Sequence, residues 1–175
     1  ARAKLKKSAK MKNVEIFRSL DDKSLYAVID KMKPRTFQAG ETVLRQGDDA
    51  DAFFVITDGA CLVKRKTSVD LVNGQVIGQL GVFQHFGEAA LTTAARRVFL
   101  RKSGMSGTVQ AGHRNASVLA GREGVSVLRL SAADLEEVLE SGAVDLTTVK
   151  ASIEAADAAR EALTSVRRVW VKSET

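Results

Sequence analysis

The 175-residue sequence predicts a mainly β domain with helices at both ends, an α+β fold class. Between Thr36 and Leu80, short apolar or alternating runs are separated by glycines, a pattern typical of an all-β sandwich or barrel. Towards both ends the apolar residues instead recur every three or four positions, which predicts helices. Because 45% of the residues are hydrophobic, a chain of this length can bury the core of one domain, and disorder throughout is excluded.

The N-terminal region predicts a basic arm followed by two short helices. Residues 1–13 contain six bases and no acid, so they carry all of the formal net charge of +6. We expect a solvated arm or linker helix here, since the rest of the chain is electrically balanced. Residues 14–33 have helical periodicity. Ser19 followed by Asp22 indicates the N-cap of the second helix, and Pro34 ends it.

The middle of the chain predicts a barrel over residues 35–130. The predicted strands cover residues 42–44, 52–57, 60–65, 69–72, 76–80, 115–120 and 125–130, with Gly40, Gly47, Gly59 and Gly74 at turns. Residues 92–113 interrupt this pattern with small, polar and basic residues and three glycines. Such a long irregular stretch is uncommon inside a compact domain, so we expect an inserted loop that is either functional or mobile.

The C-terminal region predicts closing helices over residues 132–170. Ser131 followed by Asp134 is a capping-box pattern that opens a helix through about Glu140. Residues 144–168 contain neither Gly nor Pro and are rich in Ala and charged residues, which is typical of a long helix. Its thin apolar stripe indicates that this helix lies on the barrel rather than inside it.

Two short segments carry chemistry for an anionic ligand. In residues 86–91, Gly87 permits close backbone approach, the start of a helix favours an anion, and the Glu88 carboxylate can accept hydrogen bonds from sugar hydroxyls. Arg114 directly precedes a predicted strand, and its planar guanidinium can bind a phosphate through two hydrogen bonds. Each segment alone is a weak signal.

Together with other motifs, these segments resemble the cyclic nucleotide-binding domain family over about residues 14–170. The matching residues are Phe17-x-x-Leu20, Phe37-x-x-Gly40-Glu41, Gln46-Gly47-Asp48, Ala50-Asp51-x-Phe53-Phe54-Val55-Ile56-x-x-Gly59, Phe86-Gly87-Glu88-x-Ala90-Leu91 and Arg114-x-Ala116-Ser117-Val118. The resemblance implies an eight-stranded jelly-roll β-barrel with an N-terminal helical bundle, a short helix in the phosphate-binding cassette and C-terminal closing helices.

The segment from Phe86 to Arg114 is similar to the family's phosphate-binding cassette, and the resemblance implies roles for the residues of this cassette. Glu88 would bind the ribose 2′-hydroxyl and Arg114 the cyclic phosphate, while Gly87 and Ala89 would contact the sugar-phosphate. An ungapped count from Glu88 reaches Arg97 instead. We choose Arg114 because a small residue and a strand pattern follow it. The predicted ligand-binding residues are therefore Phe86, Gly87, Glu88, Ala89, Ala90, Arg114, Asn115, Ala116 and Arg65.

Two positions bear on which base is bound. Domains similar to those of cGMP-dependent protein kinases often have Thr or Ser after the cassette arginine, and here Asn115 can accept from the guanine amino group. Arg65 falls where such domains can carry an arginine that donates to the guanine oxygen. Both residues favour cGMP by roughly tenfold to a hundredfold, with cAMP as the alternative ligand. A lid over the base would come from Val149, Ile153 or Trp170.

The sequence thus predicts a regulatory binding module that is not itself an enzyme, most like a domain from the regulatory region of a cGMP-dependent protein kinase. The expected partners are a cyclic nucleotide and an attached kinase catalytic domain or neighbouring nucleotide-binding domains. The alternatives are a cAMP-binding domain of a kinase or channel, a degenerate structural domain, and a nucleic-acid-binding regulator. We expect no nucleic acid as partner, because the tail after Ser131 has no second helix pair with a glycine turn.

The remaining chemistry-bearing residues predict no catalytic site, metal or cofactor. Cys61 is the single cysteine and fits a small core residue, and the two histidines lack carboxylates at ligand spacing. No apolar run approaches the roughly 20 residues of a membrane-spanning helix. We expect a cytoplasmic location, with membrane association only through the full-length protein.

Overall fold

The computed structural model describes residues 9–72, 74–110 and 112–155, which form an antiparallel sheet with flanking helices. A 3-10 turn (Glu15–Phe17) precedes α1 (Asp22–Lys31), β1 (Lys33–Phe37), β2 (Thr42–Leu44), β3 (Ala52–Arg65), β4 (Gln75–Leu80), β5 (His85–Phe86), α2 (Ala89–Lys102), β6 (Ser117–Ser131) and α3 (Ala132–Glu140). Residues 146–155 are also helical. The predicted mainly β architecture with flanking helices is confirmed.

Helix α1 confirms the predicted second helix, but its cap differs from the prediction. The Asp21 carboxylate accepts a hydrogen bond from the backbone N–H of Ser24 at 2.7 Å. The prediction of Ser19 as the N-cap was wrong, because Asp21 is the residue directly before the first helical turn. The helix ends at Lys31, and Pro34 lies in the exposed edge strand β1, where its missing N–H is tolerated.

The sheet has the strand order β1-β6-β3-β4, with β2 paired to β6 and β5 paired to β3. Strand β3 merges two predicted strands and so does β6, so the described residues form six strands rather than the expected eight. The chain does not turn at Gly59. Instead, the register between β3 and β6 shifts on both sides of it, and such bulges bend long strands. Residues 69–72, predicted as a strand, form a largely exposed bend.

Two apolar clusters hold the fold together. The first packs the N-terminal residues, α1, α2, α3 and residues 146–155 against the sheet, and it includes the candidate lid residues Val149 and Ile153. All six strands contribute to the second cluster, so the curved sheet encloses it. Cys61 is fully buried there, and burial raises the pKa of its thiol to about 11, which keeps the thiol protonated.

Helix α2 corrects the prediction of a loop over residues 92–113. The helix extends from Ala89 to Lys102, so only residues 103–113 connect it to the start of β6. Its many small residues dilute the apolar periodicity, yet one face is buried through Ala90, Ala94 and Val98. Residues 89–102 contain neither Gly nor Pro, and this composition favours the helix.

The C-terminal elements largely agree with the sequence. Helix α3 begins as predicted, with the Ser131 hydroxyl accepting from the backbone N–H of Asp134 at 3.0 Å. Residues 146–155 confirm the beginning of the predicted long helix. The rest of that helix, including Trp170, and the first eight residues of the arm lie outside the described residues. Among the helices that the structure describes, none is long and apolar enough to cross a bilayer.

Candidate functional site

The cassette turns sharply between β5 and α2 at Gly87. The φ angle of Gly87 is +87°, and a Cβ atom there would lie 2.7 Å from the carbonyl oxygen of Ala52 and 2.8 Å from Nη1 of Arg114. Only glycine fits both the left-handed backbone and this narrow space. The backbone of this turn therefore lies directly against the guanidinium of Arg114.

Both sides of this turn are held in the core. Phe86 is buried and stacks on Phe54, with ring centroids 5.0 Å apart and an interplanar angle of 11°. On the helical side, Ala90 is fully buried and Ala89 is half-buried. These contacts fix the positions of Gly87 and of the residue that follows it.

Glu88 occupies the N-cap position of α2, and its carboxylate points to His85. The Oε1 atom lies 2.5 Å from Nδ1 of His85, and the two side chains are only 12% and 8% exposed. Within the described residues, the Glu88 side chain makes no capping hydrogen bond to α2. The carboxylate is therefore not used to satisfy the start of the helix.

Arg114 is the buried cation of the site. Its side chain is 3% exposed, and Nη2 donates to the carbonyl oxygen of Ala52 at 2.7 Å and to Oδ1 of Asp51 at 3.3 Å. Burial lowers the pKa of the guanidinium from its ordinary value, and the Asp51 carboxylate opposes that shift. Nη1 is buried and has no hydrogen-bond partner among the residues that the structure describes. An anion at Nη1 would offset the cost of burying this donor.

Arg114 also lines a cavity of about 440 Å³. The other lining residues are Arg35, Phe37, Val43, Leu44, Arg45, Asp48, Asp49, Asp51, Phe54 and Arg129. The Asp51 carboxylate lies between two bases, since its Oδ2 is 3.5 Å from Nη2 of Arg129. Four arginines face three aspartates in this lining, a balance that favours an anion.

The structure does not bring every predicted ligand-binding residue to this cavity. Among the described residues that line it, Arg114 is the one member of the predicted set. Asn115 is exposed and Ala116 is half-buried where the chain enters β6. Arg65 is exposed at the C-terminal end of β3, where it pairs with Gln75 of β4.

Arg97, the alternative cassette arginine, faces α3. Its Nη1 lies 3.8 Å from Oε1 of Glu136, and its Nε donates to the carbonyl oxygen of Val109 at 3.4 Å. Arg101, one turn later, lies 3.6 Å from the same Glu136 oxygen and 2.6 Å from Oε1 of Glu140. The two arginines therefore join α2 to α3.

Sequence reasoning assigned no role to Asp51 or to His85, both of which contact predicted site residues. Asp51 belongs to the family motif around Ala50 and Phe53, and its place in that motif was the one sequence feature that could have indicated a role in the site. His85 had no signal beyond its place directly before Phe86. In the described part of the chain, no group of three or more His, Cys, Asp or Glu residues is placed to hold a metal ion.

Comparisons with known proteins relate this chain to cyclic nucleotide-binding domains. Residues 34–100 match the family model of the cyclic nucleotide-binding domain, a segment that contains Glu88 and ends before Arg114. The chain is 34% identical over 84 residues to the cAMP-dependent protein kinase regulatory subunit of Dictyostelium discoideum, covering 47% of this chain and 26% of that protein. It is 39% identical over 90 residues to the cAMP-dependent protein kinase type II regulatory subunit of Drosophila melanogaster, covering 51% and 22%. The matches span about a quarter of the length of these relatives.

The fold agrees with these sequence matches. The structure superposes on the regulatory domain of Toxoplasma gondii PKA, solved with cAMP, with a TM-score of 0.60 and 20% identity, over 86% of this chain and 50% of that one. At this identity the likeness establishes the fold, which is the jelly-roll type of cyclic nucleotide-binding domains. Both curated relatives are named as subunits of cAMP-dependent kinases, so they do not support the expected likeness to cGMP-dependent kinases in particular.

Proposed function

We propose that this domain binds a 3′,5′-cyclic nucleotide and acts as a regulatory module of a larger protein. The observation that carries the proposal is the buried Nη1 of Arg114, which faces the Gly87 turn and has no partner among the described residues. A cyclic phosphate is a monoanion with two outer oxygens, and a guanidinium out of water is its matching donor. The family match over residues 34–100 supports the same class of ligand.

In the proposed complex, the cassette residues have separate roles. Arg114 binds the phosphate, Glu88 accepts from the ribose 2′-hydroxyl, and the backbone at Gly87 and Ala89 contacts the sugar-phosphate. Phe86, like Ala90, is buried and acts by holding the turn in place.

We propose cGMP as the preferred ligand, on the basis of Asn115 and Arg65. Both side chains are exposed, so a guanine base could engage them without disrupting other contacts. The relatives are named as regulatory subunits of cAMP-dependent protein kinases, and they support cAMP as the ligand about equally well. The two ligands differ in the base that the domain must recognise. The phosphate and ribose contacts are the same for both ligands.

The test is a calorimetric titration of the chain with cGMP, cAMP and linear 5′-GMP. We expect both cyclic nucleotides to bind, with cGMP preferred by about tenfold to a hundredfold, and the linear nucleotide to bind more weakly because its phosphate is not fused to the ribose. Asn115→Ala should narrow the cGMP preference. Equal or tighter binding of cAMP would select the cAMP alternative, and no binding of either at millimolar concentration would select a degenerate structural domain.

Binding would reach an attached kinase catalytic domain through the helices. Helix α2 begins directly after Glu88, and its C-terminal half is joined to α3 through the ion pair of Arg101 with Glu140 at 2.6 Å. A displacement of the cassette would therefore move α3, and a ligand that favours one helix arrangement shifts the population towards it. Val149 and Ile153 are buried in the first apolar cluster, so they would cover the base only after residues 146–155 move.

A further inference from the structure

The hairpin between β3 and β4 exposes a cluster of apolar side chains. Eight large hydrophobic side chains are exposed among the described residues, and five of them lie in this hairpin: Val69, Leu71, Val72, Val76 and Ile77. We call these five residues the hairpin tip. Scattered apolar side chains on a surface are normal, whereas a concentration of them marks a site of interaction.

The exposure of the hairpin tip indicates what kind of partner could cover it. Val69 is 93% exposed, Leu71 71% and Val72 78%. Such side chains have solvent on nearly every side, so a partner that covers them must surround them. A folded protein surface covers the side that it touches, whereas the acyl chains of a lipid bilayer close around an inserted side chain. The exposure therefore favours a bilayer over a protein surface.

Basic residues stand directly behind the hairpin tip. Lys64 and Arg65 end β3 and Lys66 follows them, while residues 64–80 contain a single acid. In the register of the two strands, Lys64 lies opposite Val76, so a base and an apolar side chain share one face. The long apolar stem of a lysine lets its ammonium group reach lipid headgroups while neighbouring side chains lie deeper. This charge is complementary to an anionic membrane surface.

We propose that this hairpin docks the domain on the surface of an anionic lipid bilayer, with the hairpin tip among the acyl chains and the bases among the headgroups. Apolar burial and attraction to anionic lipid add to each other in surface-bound segments. A second copy of the chain would bring the same bases together, and like charges oppose such pairing. The inference does not depend on nucleotide binding. The sequence predicted membrane association only through the full-length protein, whereas this docking surface lies in the domain itself.

Vesicle sedimentation of the whole chain tests the proposal. The vesicles consist of phosphatidylcholine alone or of an equimolar mixture with phosphatidylserine. We expect binding to the mixed vesicles only, and weaker binding as salt is added. Leu71→Ser/Val72→Ser and Lys64→Gln/Lys66→Gln should each lower the partition coefficient by about tenfold or more. Arg65 is left unchanged, because the proposed function places it at the base of the nucleotide.

Two matched controls remove the same chemistry elsewhere. Phe99→Ser/Met105→Ser removes two exposed apolar side chains outside the hairpin, and Lys23→Gln/Lys33→Gln removes two exposed bases from α1 and β1. Both should bind mixed vesicles within about twofold of the wild type. The basic arm could attract the same vesicles, since residues 1–13 contain six bases. Equal partition of the wild type and both hairpin variants would assign the binding to the arm and overturn the proposal.

A dye attached to the hairpin tip reports insertion directly. Leu71→Cys can be labelled selectively, because Cys61 is fully buried and its thiol stays protonated. We expect an environment-sensitive dye at this position to shift its emission to the blue with mixed vesicles, and the same dye on Met105→Cys not to shift. No shift at the tip, or no binding of the wild type to mixed vesicles, overturns the proposal. Self-association without vesicles that Leu71→Ser/Val72→Ser abolishes, measured by analytical ultracentrifugation, would assign the tip to a second copy and also overturn it.

Discussion

Arg114→Ala is expected to lower the affinity for the cyclic nucleotide by about 30-fold to 1,000-fold. This equals about 2–4 kcal/mol, the usual cost of truncating a charge-assisted contact that is out of water. The side chain is 3% exposed, so solvent provides little substitute for its contact with the ligand. Arg114→Lys should also lose most of the affinity, since an ammonium group cannot reproduce the planar fork of donors. Calorimetric titration measures both variants.

Arg97→Ala is the matched control, because it truncates the same side chain at the arginine that an ungapped cassette would use. It should leave affinity unchanged and lower the free energy of unfolding by at most about 1 kcal/mol, since its contact with Glu136 at 3.8 Å is partly exposed. Arg114→Ala also removes the donor to the Ala52 carbonyl, so thermal unfolding must show that the variant is folded at the titration temperature. Lost binding in Arg97→Ala with retained binding in Arg114→Ala would reverse the assignment.

Gly87→Ala is expected to lower both stability and affinity. An L-residue at a φ of +87° costs about 1–3 kcal/mol. The added methyl would also lie 2.7 Å from the Ala52 carbonyl oxygen and 2.8 Å from Nη1 of Arg114. Since neither the backbone oxygen nor the buried guanidinium can yield easily, the turn must move away from Arg114. We expect affinity to fall at least about tenfold, as measured by the same titration.

Gly40→Ala separates the two causes. Gly40 has a comparable φ of +79°, but a Cβ there would meet no atom within 4 Å. This variant should therefore lose stability through backbone strain alone and keep the wild-type affinity. If both glycine variants lose affinity equally, the close approach between Gly87 and Arg114 is not what shapes the site.

Local features of the fold were predictable from the sequence, and those set by long-range packing were not. The cap at Ser131 and the strand Thr42–Leu44 depend on neighbouring residues, and both predictions are confirmed. The start of helix α2 after Gly87 was predicted, but its extension to Lys102 was missed, because packing against α3 and the sheet stabilises a stretch of small residues whose periodicity is weak. The union of two predicted strands in β3 depends on pairing with β6 across Gly59, which local patterns do not encode.

The same division applies to the site. The cassette motif located Glu88 and Arg114, which the structure places beside the Gly87 turn. It could not identify Asp51, which reaches Arg114 across 63 positions of sequence, or His85, whose contact with Glu88 depends on how the side chains pack. The base-reading roles of Asn115 and Arg65 came from resemblance alone, and they stay predictions.

The most direct test of the central claim is a crystal structure of the domain with a bound cyclic nucleotide. The claim is that Nη1 of Arg114 receives the phosphate beneath the Gly87 turn. We predict a phosphate oxygen about 2.7–2.9 Å from Nη1, with the ribose 2′-hydroxyl on the Glu88 carboxylate. A phosphate held by Arg97, or by Arg35 and Arg129 with Nη1 of Arg114 unoccupied, would contradict it.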